Sequence, residues 1–292
     1  MRKIYFTLIA LLLCISQSNA QLLWKISGNG LEKPSYIFGT HHVAPLSIID
    51  SIPAFNKAFE DCSVVYGEII INKDSLQQMA MKYGQLMLSP ADSTLDKVLS
   101  KEYYEKLDKI VSNSMGIRAD QIKTLKPNAL ATQMALITHM KVFKNHNPNE
   151  QLDMTMQKRG KDAGKRLAAF ETSEQQFNLL FGTPISEQVS ALTTLIDHND
   201  RMEEYVITMN DAYMTQDIAK LLTLMMDEET GSDIKGLERI IFERNRNWCK
   251  QLKEILPKQE PIFIVVGAGH LPGEEGLIEL LKKQGYTVEA AS

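Results

Sequence analysis

Two stretches near opposite ends of the chain share one pattern, an apolar β-rich run that leads into Gly-x-x-His. Tyr36-Ile37-Phe38 runs into Gly39-Thr40-His41-His42, and Ile262 through Val266 runs into Gly267-Ala268-Gly269-His270. A third apolar run, Val64-Val65-Tyr66, ends at Gly67-Glu68. Glycine after a strand lets the backbone turn sharply. The residue beyond it then points from the end of the sheet into the crevice that open α/β sheets use for ligands. Two imidazoles and one carboxylate arriving there, His42, His270 and Glu68, would make a three-ligand metal site with a coordination position left for water. Two nitrogens and one oxygen suit zinc, manganese and cobalt alike, so the donor types do not select the ion. His-Glu-x-x-His does not occur, which excludes the one-helix zinc protease arrangement. One Gly-x-x-His means little alone; here two of the chain's 6 His fall in the same context.

These residues need a sheet to hold them. Leu22 to Ile26 and Ser35 to Phe38 read as strands of a hairpin, with Gly28-Asn29-Gly30 and Pro34 as turn signals between them. A helix is expected over Ile52 to Glu60, with Ser51 as N-cap and Pro53 in the first turn. Ser63 to Tyr66 reads as a buried strand. From about residue 73 to 158 apolar residues recur every three or four positions, as in Leu95, Val98, Leu99, Tyr103, Leu107, Ile110 and Val111, the mark of amphipathic helices. Leu167 to Phe170 interrupts this as a short strand ending at Glu171. Helical spacing resumes from Glu174 to about Leu256, broken at Gly182-Thr183-Pro184 and near Gly231. Thr172-x-x-Gln175 fits a capping box at the start of that region. Ile262 to Val266 is the strongest strand; a helix from Gly276 to Lys283 and a strand near Tyr286 to Glu289 follow it. The expected fold is α+β, a mixed central sheet built from strands of both chain ends, flanked by helices, with a large helical insertion. His139 falls inside that insertion with no glycine turn beside it and is expected outside the site.

Composition narrows the function classes. The 292 residues are 44% hydrophobic and 23% charged, with 32 Lys and Arg against 36 Asp and Glu, which fits an ordinary globular protein. The net charge of −4 supplies no positive field for nucleic acid. Residues 1–20 read as a secretory signal: Arg2 and Lys3, an apolar run over 4–15, and small residues at Ser18-Asn19-Ala20. A membrane anchor is the alternative, disfavoured because the run is shorter than the ~20 residues that span a bilayer. Residues 21–292 then form one exported, periplasmic or secreted domain with no later spanning segment. Of the 3 Cys, Cys14 leaves with the signal, and sequence does not show whether Cys62 and Cys249 meet. The 14 Met read as flexible core filler or as a ligand groove.

The pattern resembles the TraB/GumN family, relatives of the Tiki metalloproteases. The resemblance rests on Ile37 to Val43, Tyr66-Gly67-Glu68 and Val265 to Leu271, and on Leu125-Lys126-Pro127, Leu152-Asp153, Phe170 to Gln176 and Glu243 to Trp248. Phe170 stands where the family commonly has Leu. The resemblance implies the fold of Tiki and EreA/ChaN-like proteins and an exported metal-dependent hydrolase, a peptidase acting on a peptide or protein. It implies a divalent cation on His42, Glu68 and His270. His41, on the family's variable position, becomes a supporting or substrate-facing residue. Glu171 would shuttle a proton, or serve only as a carboxylate at a helix start. Arg244 would hold a developing oxyanion or a substrate carboxylate, with Asn245 beside it. A rival reading is a non-catalytic binder of a peptide signal or a haem-like ligand, which requires an apolar pocket and no turnover.

Overall fold

The computed structural model describes residues 21–71, 81–144, 147, 150–227, 234–258 and 260–291. The signal-like segment 1–20, the start of the first long helical stretch and the break at Gly231 lie outside the described residues.

Six strands form one mixed sheet: β1 (Leu23–Ser27), β2 (Ser35–Thr40), β3 (Val64–Gly67), β4 (Arg166–Ala169), β5 (Ile262–Gly267) and β6 (Thr287–Ala290), in the order β4-β3-β5-β2-β1-β6. The three apolar runs that end at glycine are therefore β2, β3 and β5 of one sheet. Strands β4, β3, β5 and β2 are mutually parallel, and β1 runs against both its neighbours. Each parallel neighbour needs a long crossover, so the helices are consequences of the strand order. The hairpin between β1 and β2 turns through Gly28, Asn29 and Gly30, all with left-handed φ (75°, 48° and 83°), which glycine and asparagine tolerate best. In β2 all six residues are buried, and in β5 all but Gly267. Such runs lack polar alternation because helices cover both faces.

Among the described residues, helices of seven residues or more are α1 (Phe55–Asp61), α2 (Lys101–Met115), α3 (Pro127–Val142), α4 (Leu152–Asp162), α5 (Ser173–Phe181), α6 (Ile185–Asp197), α7 (Met202–Met214), α8 (Ile218–Met225), α9 (Glu243–Ile255) and α10 (Leu277–Lys283). The main core joins the sheet to α1, α9 and α10, with Phe38, Phe55, Phe59 and Phe263 in edge and tilted ring contacts at its centre. The insertion has its own core, in which Leu107 and Val111 of α2 meet Leu130 of α3 and Leu192 and Ile196 of α6. Leu107 and Val111 are among the residues the three-and-four spacing selects. The capping box forms: Thr172 Oγ1 accepts from Gln175 N, and the Gln175 side chain accepts from Thr172 N.

Two local expectations need correction, and the cysteine question left open is answered. Ser51 closes a 3-10 turn (Leu46–Ser51) by donating to Ile48 O at 2.7 Å, so it does not cap α1, which begins at Phe55 without a side-chain cap. Cys62 and Cys249 are both buried and free. The strand-end glycines do not serve sharp turns either, since none of the three has positive φ. Gly39 and Gly67 answer to space: a Cβ on Gly39 would lie 2.7 Å from Leu271 Cδ1 and 3.0 Å from Ala268 Cα, and one on Gly67 2.6 Å from Gln157 Nε2.

Candidate active site

The four parallel strands end on one edge of the sheet, and each delivers a candidate residue there: Glu171 after β4, Glu68 after β3, His270 after β5 and His42 after β2. With strands about 4.8 Å apart, this row spans roughly 14 Å. The ladder between β3 and β4 continues past the strands, with Phe170 N donating to Gly67 O at 3.1 Å and Glu171 N to Glu68 O at 2.9 Å. The backbone itself thus sets the two carboxylates side by side.

Between them lies Arg244. Its Nε and Nη2 donate to Glu171 Oε1 and Oε2 at 2.9 and 3.0 Å, and Nη2 also reaches Glu68 Oε2 at 2.5 Å. Nη1 donates to Ile240 O at 3.0 Å and faces His270 Nε2 at 3.2 Å. Ile240 belongs to a π-helical turn (Glu238–Phe242) that leads into α9; such wide turns concentrate at functional sites because they redirect backbone groups. The guanidinium lies over the Trp248 ring, 4.5 Å from its centre, and Trp248 Nε1 donates to Glu171 Oε1 at 2.9 Å. Burial opposes the charge on Arg244, but Glu68 and Glu171 outweigh it and strengthen the guanidinium's hold on its proton.

His270 is buried against Trp248, with ring centres 4.4 Å apart. Burial drives its pKa down to about 3, so the ring is neutral at physiological pH. Its Nδ1–H donates to Asn245 Oδ1 at 2.7 Å, which leaves the Nε2 lone pair directed at Arg244. Asn245 also donates through Nδ2 to His270 O at 3.1 Å and Glu275 O at 2.8 Å, fixing both the ring and its loop. Glu68 Oε1 accepts from Gly267 N at 2.9 Å, and Gln176 Nε2 donates to Oε2 at 3.2 Å. Burial works against ionisation of Glu68, yet the opposing charges of His270 and Arg244 and the Gly267 N–H hold its carboxyl at about 2. With His270 neutral, Arg244 supplies that charge at neutral pH.

His42 sits differently. Its imidazole is 64% exposed and Nδ1 bonds Asp153 Oδ2 at 2.8 Å. The Asp153 charge raises its pKa to about 9, helped by the hydrogen bond between them. Asp153, in the first turn of α4, is itself placed by Thr40, whose hydroxyl donates to Oδ1 at 2.7 Å with Val266 O at 3.1 Å. The two Gly-x-x-His motifs are not equivalent: β2 and β5 pair Gly39 with Val266 and Thr40 with Gly267, one residue out of step. His270 lies in a buried 3-10 turn (Ala268–His270), while His42 lies on an open loop.

The structure brings Glu68, Glu171, Arg244, Asn245 and His270 into one hydrogen-bonded cluster. His42 stands at the end of the row, in the electrostatic reach of Glu68 and Arg244 but without an ion pair to Glu68 among the described residues. His41 packs its ring 5.4 Å from that of Tyr213 and 6.4 Å from that of His139. His139 is thus not remote, because α3 packs over the loop after β2. Asp153 was visible in the sequence only as part of Leu152-Asp153, and the contacts of Thr40 and Trp248 left no sequence signal of their own.

A divalent cation suits this donor set in kind. Both histidines are held through Nδ1, His42 by a carboxylate and His270 by an amide oxygen, the outer bonding of metal-binding histidines, and an ion on His270 Nε2 would take the place that Arg244 Nη1 holds at 3.2 Å. Glu68 Oε1 and His270 Nε2 lie 3.8 Å apart, a gap that one ion bonded to each at about 2.0–2.2 Å can bridge. Among the described residues no three His, Cys, Asp or Glu side chains are grouped closely enough to hold an ion together, because His42 faces Asp153.

Along this edge the order is Glu171, Glu68, His270 and His42, with Arg244 bonded to the first two and facing the third. The protein belongs to the TraB/PrgY/gumN family, whose model matches residues 22–290. Among curated relatives, Metalloprotease TIKI1 of Xenopus tropicalis is 24% identical over 324 residues, covering 94% of this chain and 62% of that protein. Metalloprotease TIKI2 of Danio rerio is 23% identical over 316 residues (91% and 60%), and Metalloprotease TIKI1 of Homo sapiens 24% over 318 (92% and 61%). The chain spans about three fifths of the length of these relatives. No solved structure matches it significantly. Among the described residues, no helix is long and apolar enough to cross a membrane.

Proposed function

We propose that the protein is an exported, metal-dependent peptidase that uses a divalent cation held by His42, Glu68 and His270. The observation that carries the reading is the meeting of Glu68 and His270, 3.8 Å apart, each already fixed by other bonds. The names of the relatives support the same chemistry. A cation there would act as a Lewis acid, polarising a substrate carbonyl and making water a stronger nucleophile. The chain's own residues do the rest. Asp153 and Thr40 orient His42, and Asn245 keeps His270 in the tautomer whose Nε2 lone pair, which faces Arg244 Nη1 at 3.2 Å, would serve an ion once the guanidinium turns aside. Arg244 presents a guanidinium suited to a developing oxyanion or a substrate carboxylate. Glu171 accepts three hydrogen bonds from Arg244 and Trp248, so proton transfer through it requires Arg244 to turn toward the substrate and free one carboxylate edge. Loop motions that bring His42 toward the Glu68–His270 pair would complete the ligand set.

The test is a peptide-library digest analysed by mass spectrometry with the purified protein, untreated, chelated, and reloaded with Zn²⁺, Mn²⁺ or Co²⁺. Cleavage that disappears on chelation and returns with one ion supports the reading; cleavage unaffected by chelation, or none with any ion, contradicts it. N-terminal sequencing of exported protein should give Gln21, and an intact Met1 would refute export by cleavage. The rival reading, capture of a peptide signal or haem-like ligand without turnover, draws on one observation, an apolar cavity beside His42, and the same digest separates the two.

A further inference from the structure

The loop that carries His42 also builds a wall. Immediately after the imidazole, Val43 to Leu46 line a cavity of about 560 Å³, closed on the other sides by Val142 and Phe143 at the end of α3 and by Met214 of α7. That volume lies within the roughly 300–1,000 Å³ of sites that enclose small ligands, and its apolar lining with few polar groups is also of that kind. Lys144, Asn147, Glu150 and Asn210 supply the polar groups. At the other end of the strand-end row the surroundings are more polar: in a cleft of about 540 Å³ Glu171, Arg244 and Gln251 stand beside the apolar Phe170, Leu179 and Trp248. The row between them, roughly 14 Å long, matches about four residues of extended chain at ~3.3 Å each. An apolar recess at one end of a reactive row and a more polar cleft at the other is the layout of a site that reads an extended peptide in one direction.

We propose that the cavity beside Val43 is a specificity subsite, accepting a bulky apolar side chain, aromatic or branched aliphatic, of a peptide that lies along this edge of the sheet. The inference rests on the peptidase reading and narrows it to a substrate class. The two charged residues of the lining, Lys144 and Glu150, are of opposite sign, so an acidic or basic side chain placed there would lose hydration without meeting a net opposite charge. The occupant is a peptide side chain because the cavity is continuous with the loop of the proposed ligand His42, one residue away in sequence.

The probes are three N-acetylated, C-amidated pentapeptides that differ only in a central Phe, Ala or Glu. Affinity is measured by calorimetry and cleavage by mass spectrometry, both on the Mn²⁺-loaded chain beginning at Gln21. The Phe peptide should bind about tenfold or more tighter than the Ala peptide, with the Glu peptide weaker still, the discrimination expected of one apolar pocket. Asn210→Trp, which fills the cavity from α7, should erase the difference between Phe and Ala. If that variant unfolds, Asn210→Glu, which adds a charge at a partly exposed helix position, should weaken the Phe peptide about tenfold. Equal affinity for Phe and Glu peptides, no measurable binding of any, or a Phe preference untouched by both Asn210 variants overturns the proposal. A Phe preference without cleavage keeps the subsite and sinks the peptidase; cleavage without preference does the reverse.

Discussion

Replacing Arg244 with Met keeps the length of the side chain and much of its contact with Trp248 while removing its charge and all its donors. In the native protein those donors reach Glu171 twice, Glu68, Ile240 O and His270 Nε2, at 2.5 to 3.2 Å. The Glu68 and Glu171 side chains are only 12% and 14% exposed. Without the guanidinium, two carboxylates repel each other in a poorly solvated place, and one must take up a proton. Stripping one partner from a buried ion pair costs about 3–5 kcal/mol. The remaining donors, Gly267 N–H, Gln176 Nε2 and Trp248 Nε1, offset part of this, so a loss of about 3 kcal/mol is expected. At ~2–4 °C per kcal/mol for a chain of this size, Tm should fall by roughly 6–12 °C. The assay is thermal unfolding followed by circular dichroism and calorimetry on chelated protein, for wild type and Arg244→Met. Adding Glu171→Gln to the variant removes one of the repelling charges and should recover about half of the loss, a coupling that independent sites would not show. An Arg244→Met protein within about 2 °C of wild type would refute the view that one arginine neutralises both carboxylates.

Gly39→Ala should cost about 1–3 kcal/mol by overpacking, since its Cβ would meet Ala268 Cα at 3.0 Å; denaturant unfolding checks it, and a neutral result would mean that β2 and the turn after β5 can separate freely. Burial pushes both Cys62 and Cys249 up to about 12, so at pH 8 only about one thiol in ten thousand is thiolate. Native protein beginning at Gln21 should therefore resist iodoacetamide until unfolded, and mass spectrometry should then show two adducts; rapid native labelling would contradict the burial. Asp153→Asn should leave the fold intact and lower divalent-metal affinity about 10–100-fold, the usual cost of losing a carboxylate behind a metal-binding histidine, measured by calorimetric titration. His198, bonded through Nδ1 to Thr194 O at 2.8 Å at the end of α6, is the histidine whose loss should leave metal affinity unchanged.

What the sequence made legible follows from where the information lies. Apolar runs ending at glycine located β2, β3 and β5, because buried parallel strands need unbroken hydrophobicity, and the Thr172–Gln175 capping box is a local bond between near neighbours. Glu68 and His270 stood out by type and context, and Arg244 and Asn245 only through the family resemblance. Their arrangement did not, since it depends on contacts such as Arg244 with Glu68, 176 residues apart. The one-residue offset between β2 and β5 is likewise invisible in two matching motifs, yet it leaves His42 exposed and His270 buried. Asp153 escaped notice because its partner lies 111 residues away and a lone acid at a helix start has an ordinary explanation in the helix dipole. Steric need at Gly39 and Gly67 was misread as a need for turning, because sequence shows that a side chain is absent but not what fills its place.

The most direct test of the account is the metal content of purified wild-type and Glu68→Gln protein, determined by elemental mass spectrometry after reloading and gel filtration, with circular dichroism confirming that both are folded. Removing one carboxylate donor from a three-ligand set should empty it. The account predicts about one ion per wild-type chain and less than about a tenth of that in Glu68→Gln. Equal metal in both folded proteins, or none in wild type, would contradict it.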